Sequence, residues 1–300
     1  MTKTRSVKLI LFRAAYNLPV TLGLERGVFA RHGLELDIAY TSGSVMTSAA
    51  LIGGERDIGV LAADDVVYEV EKRGADLFIF AGLNAGMLTL MARHGIAAAR
   101  DLAGGRLGVD DPASGFALVA HKILQTMGLS RDRYETVASG GHEPRARALR
   151  EGKIDAALLA PPFSVALAAH GFKALARARN YMPHYLGSCG VTTRRWARDN
   201  RDALIAYISA YRESLKWVLD PANRAASIAQ LAREFGLEQA LAESTFAALA
   251  DNSDGLFPQA AIDIEGMRTV LALRVEAGLL KSPPPDPSKY YDDSYLRRQG

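Results

Sequence analysis

A carboxylate, Asp64, a histidine that follows a glycine pair, His142, and a single cysteine, Cys189, are the first residues of this 300-residue chain to invite a chemical reading. A carboxylate beside a ligand opposes a simple oxyanion and suits an amine, amidine or aminopyrimidine through charge-assisted hydrogen bonds. Asp64 also ends an apolar run where a helix should begin, so it could instead cap that helix, as could Asp65. His142 stands at a helix start, where a neutral imidazole can donate to a ligand and the helix N-terminus disfavours the charged form. Cys189 lies near His184 in sequence, but a nucleophilic thiol needs a base within hydrogen-bond reach and an electropositive setting. The other reading of Cys189 is a small buried strand residue. His142 and Cys189 are the catalytic alternatives, and no reactive pair stands out.

Arg13 offers a planar fork to a carboxylate or sulfonate, or points to solvent from a strand end. Tyr16, Phe116 and Phe163 present aromatic faces to a planar ligand or pack within their own half. Tyr16 and Phe163 are preferred, because Phe116 falls on a buried helix face. Ser44, Ser114 and Asn17 are small polar residues at helix mouths, where free N–H groups favour an anionic or strongly polar partner; each alone reads equally well as an N-cap. Ser42, Asn84, Gly115 and Pro162 complete the candidate ligand set.

These residues need a scaffold, and the hydrophobic pattern supplies one. A strand at 7–12 leads to a helix over 18–31, a strand at 34–39, a short helix over 45–52 and a strand at 57–61, which is a βαβαβ plan with a parallel sheet. The plan returns with strands at 106–109 and 134–138, helices over 116–127 and 145–150, then 154–160, a helix over 163–170 and a strand at 173–176. Leu51-x-x-Gly54-x-x-Asp57-x-x-x-Leu61-Ala62 superposes on Leu149-x-x-Gly152-x-x-Asp155-x-x-x-Leu159-Ala160 with a constant shift of 98, for example 152 minus 54. That register is the mark of an internal duplication. The same shift places Ser44 on His142 and Asp64 on Pro162.

Segments 77–81 and 87–92 lead out of the first half and 187–192 leads back, which predicts two lobes, 1–92 with 188–300 and 93–187, joined by two strand-like connections around a cleft. Ligands of such sheets bind beyond the carboxyl ends of the strands, which selects the loops carrying the residues above. Helices over 203–219, 222–235, 237–250 and 262–277 are expected to complete the first lobe, and the Pro-rich tail with Tyr290 and Tyr291 to form an ordered strap.

Lys and Arg total 36 against 33 Asp and Glu, with the signs interspersed, so no nucleic-acid partner is expected. The basic runs 145–150 and 194–198 read as solvated helix faces. One cysteine excludes an internal disulfide and a cysteine-rich metal site, and neither HExxH nor CxxC occurs, so no metal and no cofactor is expected. The apolar run 9–12 is too short for an export-signal core, and no stretch approaches the roughly 20 apolar residues of a membrane span. A soluble monomer is expected.

Four segments carry a resemblance that covers nearly the whole chain: Leu22-x-x-Glu25-x-Gly27-x-Phe29-x-x-x-Gly33-Leu34-x-Leu36, Gly54-x-x-Asp57-Ile58-Gly59, Asp101-Leu102-Ala103-Gly104-Gly105-Arg106-Leu107-Gly108-Val109, and Gly152-Lys153-Ile154-Asp155-Ala156-Ala157. In their order and spacing they resemble the solute-binding proteins of the nitrate, sulfonate, taurine and thiamine-precursor type (SsuA/THI5-like, NMT1-like). The resemblance implies an α/β chain of the type II periplasmic-binding-protein fold that carries a small polar organic solute to an ABC permease and ATPase. It implies a periplasmic location if an export signal has been removed; the chain as written implies the cytoplasm. The alternative is an enzyme on the same fold, a decarboxylase, desulfinase or pyrimidine synthase acting on a small aromatic or heterocyclic acid.

Overall fold

A computed structural model describes residues 4–297. The first sheet is built from β1 (Arg5–Phe12), β2 (Leu34–Thr41), β3 (Ile58–Ala62), β4 (Leu77–Gly82) and β10 (Ser188–Thr193) in the order β2-β1-β3-β10-β4. The second is built from β5 (Thr89–Ala92), β6 (Arg106–Val109), β7 (Glu135–Ala138), β8 (Ala156–Leu159) and β9 (Lys173–Arg177) in the order β7-β6-β8-β5-β9. In each sheet one strand runs against the rest, β10 in the first and β5 in the second. The pairings match term for term, and each half donates one antiparallel strand to the other half's sheet.

The crossover helices are α1 (Leu18–Glu25), α2 (Val28–Arg31), α3 (Ser44–Ile52) and α4 (Ala63–Arg73) in the first half, and α5 (Gly115–Thr126), α6 (His142–Arg150) and α7 (Phe163–Ala169) in the second. The helix expected over 18–31 is interrupted because Gly27 adopts the left-handed conformation, φ +66°. The 98-residue shift holds in three dimensions: α3 and α6 start at Ser44 and His142, and β3 and β8 at Ile58 and Ala156. It also explains the Gly-x-x-Asp motif. Gly54 (φ +75°) and Gly152 (φ +67°) turn the chain out of a helix. Three residues on, Asp57 accepts a hydrogen bond from the Lys8 N–H at 2.8 Å, and Asp155 one from the Arg106 N–H at 2.7 Å, which pins the first strand of each half to its third.

β5 was assigned with the first lobe in the sequence, but it hydrogen-bonds between β8 and β9, so the outward crossing lies at 83–88 and residues 89–92 belong to the second sheet. Periodicity marks a strand; it does not say which sheet receives it. Asn84 staples the two crossings. It is fully buried, its Oδ1 accepts from Gly86 N–H (2.7 Å) and Ser188 N–H (3.4 Å), and its carbonyl accepts from Gly187 N–H (3.0 Å). A methyl group on Gly187 would lie 2.3 Å from the Gly86 nitrogen, so this crossing tolerates only glycine.

The C-terminal part contains α8 (Arg194–Asp199), α9 (Arg201–Leu219), α10 (Arg224–Phe235), α11 (Gln239–Leu249), α12 (Ile264–Glu276) and α13 (Ser294–Arg297). α9 covers α1 and α2, as expected of helices that complete the first half. α11 also lies against α7, and α12 against both α4 and α5, so these helices reach the second half too. Tyr290 is buried at the edge of β4, where its carbonyl accepts from Ile79 N–H and the Ile79 carbonyl accepts from Asp292 N–H, both at 2.9 Å. The tail is an ordered strap that covers a sheet edge. Among the described residues no helix is long and apolar enough to cross a membrane.

Candidate functional site

The carboxyl ends of β1, β3, β6 and β8 converge with the N-termini of α3 to α6 on a buried cavity of about 20 Å³, the space of a single water molecule. Tyr16, Asp65, Asp110, Phe116, His142 and Arg145 line it, so its walls come from both halves. Its polar groups sit among the apolar side chains of Phe12, Val60, Leu61 and Ala62.

Arg145 lies one turn into α6, on the inward face, and its side chain is 2% exposed. Its Nε donates to the Gly141 carbonyl at 3.3 Å and its Nη2 to His142 Nδ1 at 3.1 Å. Nη1 has no hydrogen-bond partner and stands 3.9 Å from Asp110 Oδ1. A buried guanidinium with an unmet N–H2 edge is costly unless something else completes it. His142 Nδ1 also accepts from the Ala160 N–H at 3.3 Å, and with two donors aimed at Nδ1 the ring proton sits on Nε2. Burial, then the Arg145 charge, holds its pKa well below the usual histidine value, so the ring is neutral.

Asp110 gathers donors from both halves: Ser114 Oγ at 2.6 Å and, across the interface, Ser44 Oγ at 3.2 Å. Asp65 is buried at the start of α4, and its Oδ1 accepts from the Gly115 N–H of the facing helix at 3.0 Å. Burial, followed by the Asp110 and Asp64 charges, pushes its pKa well above the ordinary carboxylate range. The Tyr16 hydroxyl is bonded to the Ser188 side chain, and burial raises its pKa. The rings of Tyr16 and Phe116 stand 6.5 and 6.1 Å from the His142 ring, which gives the cavity aromatic walls beside its charges. Asp110 therefore offsets the guanidinium, and Asp65 shares the cavity as a carboxyl that burial and its acidic neighbours hold toward the neutral form.

Of the residues singled out in the sequence, Tyr16, Phe116 and His142 line this cavity, and Ser44, Ser114 and Gly115 bond the carboxylates within it. Ser114 is also the N-cap of α5, its Oγ accepting from Ala117 N–H at 3.2 Å. Asp64 is neither a cap nor a cavity residue: the N-cap of α4 is Ala62, and Arg274 of α12 donates to Asp64 Oδ2 in a fully buried ion pair. Asn17 secures the turn after β1, its Nδ2 donating to the Phe12 carbonyl at 2.6 Å. Ser42 is exposed and turned to Met46, and Asn84 is the staple of the crossings. Arg13, Pro162 and Phe163 line a separate surface groove, whereas Phe116 lines the central cavity.

Cys189 is buried in β10, its sulfur 3.9 Å from the Gly187 carbonyl, and burial raises the thiol pKa well above its usual value. The His184 Nδ1 is 3.9 Å from Asp263 and the side chain is 69% exposed. This geometry is that of an inert core thiol. Arg145 corrects the reading of 145–150 as a solvated face, because a run that is basic by composition still presents one of its faces inward. Asp110 and Arg145 were missed, and Asp65 was weighed only as a cap.

A family model described as NMT1/THI5 like matches residues 14–225. The fold is that of a protein from Bordetella bronchiseptica RB50, at 21% identity and a TM-score of 0.82 over 98% of this chain and 96% of that one. It is also that of the alkanesulfonate-binding protein SsuA from Xanthomonas axonopodis pv. citri bound to MOPS, at 18% identity and 0.79 over 97% and 99%. The periplasmic nitrate-binding protein NrtA from Synechocystis PCC 6803 aligns at 13% identity and 0.80 over 99% and 88%. No curated protein matches in sequence. The two mixed five-stranded sheets with their helices are the periplasmic-binding-protein fold. The chain belongs to the NMT1/THI5-like family.

Proposed function

We propose that the protein binds a small polar organic solute between its two halves, which act as lobes that open and close about the crossings at Asn84 and Gly187. The observation that carries this reading is the buried, incompletely bonded Arg145 beside Asp110, with Asp65 of the other half on the same cavity, in an interface too tight to hold more than a water. Such a cluster is expensive as permanent packing and well suited to exchanging its internal contacts for those of a guest. In the closed form Asp110 occupies the place beside Arg145 that a solute acceptor would take.

The charge balance selects the guest. Asp110 already offsets the guanidinium and Asp65 would ionise beside a cation, so the cluster opposes a bare oxyanion such as the nitrate named for NrtA and favours a solute that carries a protonated or protonatable nitrogen. Asp65 and Asp110 would take the nitrogen, and Arg145 Nη1 with His142 Nε2–H an acceptor on the same molecule. Tyr16 and Phe116 would flank a planar body. An amine, amidine or aminopyrimidine fits this set. The periplasmic nitrate-binding protein that shares the fold supports a periplasmic location, and with it delivery of the solute to an ABC permease.

A thermal-shift screen tests the reading with aminopyrimidines, amidines, taurine-like zwitterions, nitrate and alkanesulfonates, followed by recovery of the bound compound. Stabilisation by nitrogen-bearing solutes recovered unchanged is the expected result. Turnover of the bound compound would replace carriage by catalysis, and stabilisation by nitrate alone would reverse the charge argument.

A further inference from the structure

A second concavity lies outside the central cavity. It is a groove of about 290 Å³ between α6 and α7 of the second half and the C-terminal end of α10. α6 contributes Glu143, Ala146 and Arg150, spaced i, i+3, i+7, and α7 contributes Phe163, Ala166, Leu167 and His170 at i, i+3, i+4, i+7, so each helix turns one continuous face to it. Both helices run back antiparallel to the strand that precedes them, β7 and β8, and those strands are both parallel to β6. The two helices are therefore parallel to each other. Glu143 and Phe163, at the N-terminal ends of the helices, mark one end of the groove, and Arg150 with His170, the residue that caps α7, mark the other.

At 1.5 Å per residue the seven steps from Glu143 to Arg150 make the groove roughly 10 Å long. The wall facing these helices is Phe235 and Leu237, with Phe235 set edge-on to Phe163 at 6.2 Å. The two ends differ in charge. At the first, Arg13 Nε stands 3.5 Å from Glu143, and Glu234 accepts from Thr21 Oγ at 2.9 Å, so that end holds two carboxyl groups against one guanidinium and repels a carboxylate. At the other end Arg150 is exposed, and among the described residues no ion pair or hydrogen bond holds its guanidinium, the neighbouring Glu151 being bridged to Lys153 at 2.7 Å; His170 Nδ1 donates to the Ala166 carbonyl at 2.7 Å and leaves Nε2 for another partner.

We infer that this groove is a second ligand site, one that takes a small amphiphilic acid. The apolar body, about two fused rings long, lies on Ala146, Ala166 and Leu167 against Phe235, and the carboxylate pairs with Arg150 beside His170. An apolar trough of this volume with a charge at one end is the usual form of a small-molecule pocket, and the planar fork of an unpaired arginine matches a carboxylate in two hydrogen bonds. The groove is walled by both halves, as the central cavity is, but shares no lining residue with that cavity, whose chemistry selects a nitrogen-bearing solute.

Calorimetric titration with 2-naphthoate tests the assignment on the full chain. Expected are one-to-one binding at submillimolar concentration, at least tenfold weaker binding of 2-naphthamide, at least tenfold weakening by Arg150→Gln, and loss of binding in Ala166→Trp, which fills the trough. Arg145→Gln, an alteration of the central cavity, is expected to leave naphthoate affinity unchanged. The assignment is overturned if the wild-type protein shows no binding up to about 1 mM. It is equally overturned if Ala166→Trp binds as the wild type does, or if Arg145→Gln abolishes binding while both groove variants retain it.

Discussion

Replacing Arg274 by Met tests the buried pair that lies behind the central cavity. Asp64 is completely buried, and burial, set against the charge and hydrogen bond of Arg274, leaves its pKa raised from 3.8 to about 6. A carboxyl whose pKa is higher folded than unfolded contributes stability below its unfolded value and loses it as the pH rises through the folded value. In the wild type that window runs from 3.8 to about 6 and amounts to about 3 kcal/mol at 1.36 kcal/mol per unit. At pH 5 Asp64 is largely protonated with or without Arg274, so Arg274→Met should cost only the lost hydrogen bond, about 1 kcal/mol. At pH 8 the wild type holds an ion pair, whereas the variant must keep a neutral carboxyl about two units above the wild-type pKa, adding about 2.7 kcal/mol. The total of about 4 kcal/mol lies in the range for breaking a buried pair. Urea unfolding followed by circular dichroism at pH 5, 7 and 8 measures it. The loss should grow with pH, and Asp64→Asn combined with Arg274→Met should remove the pH dependence. A loss that is equal at pH 5 and 8, or smaller at pH 8, would refute the account of this pair.

Gly115→Ala places a methyl group 2.4 Å from Asp64 Cβ where the helix starts meet; it should prop the halves apart, raise the radius of gyration by X-ray scattering and weaken solute binding at least tenfold. Cys189 should resist a disulfide exchange reagent in the folded protein and react only on unfolding, because its thiol is buried and its pKa is raised. His142 should keep the nitrogen shifts of a neutral Nε2–H tautomer through the range where an ordinary histidine protonates, since burial and Arg145 both lower its pKa; protonation at the ordinary histidine value would contradict the placement of Arg145 against Nδ1.

The duplicated plan was legible because repeat register and strand periodicity are local properties, and Gly54-x-x-Asp57 and Gly152-x-x-Asp155 do the same work in each half. The same register held more than composition alone conveys. A shift of 98 places Arg145 on Thr47, which is fully buried on the inward face of α3, so the repeat identifies Arg145 as inward where a basic run suggests solvent. Asp64 was read as a cap or a ligand contact because its true partner, Arg274, is 210 residues away, and no spacing rule reaches that far. The C-terminal helices show the same boundary: amphipathicity says that a face is buried, not against which half. That Phe116 lines the cavity and Phe163 the groove was not legible, because a residue at a helix start can turn either into the cleft or onto the outer wall.

The central claim is that Asp65 and Asp110 set the sign of the solute that Arg145 helps to hold. Calorimetric titration of wild type and Asp65→Asn, each with the best nitrogen-bearing solute from the screen and with nitrate, tests it directly. The account expects Asp65→Asn to bind the nitrogen-bearing solute at least tenfold more weakly and to gain affinity for the anion. Equal affinity of both proteins for the nitrogen-bearing solute would contradict it.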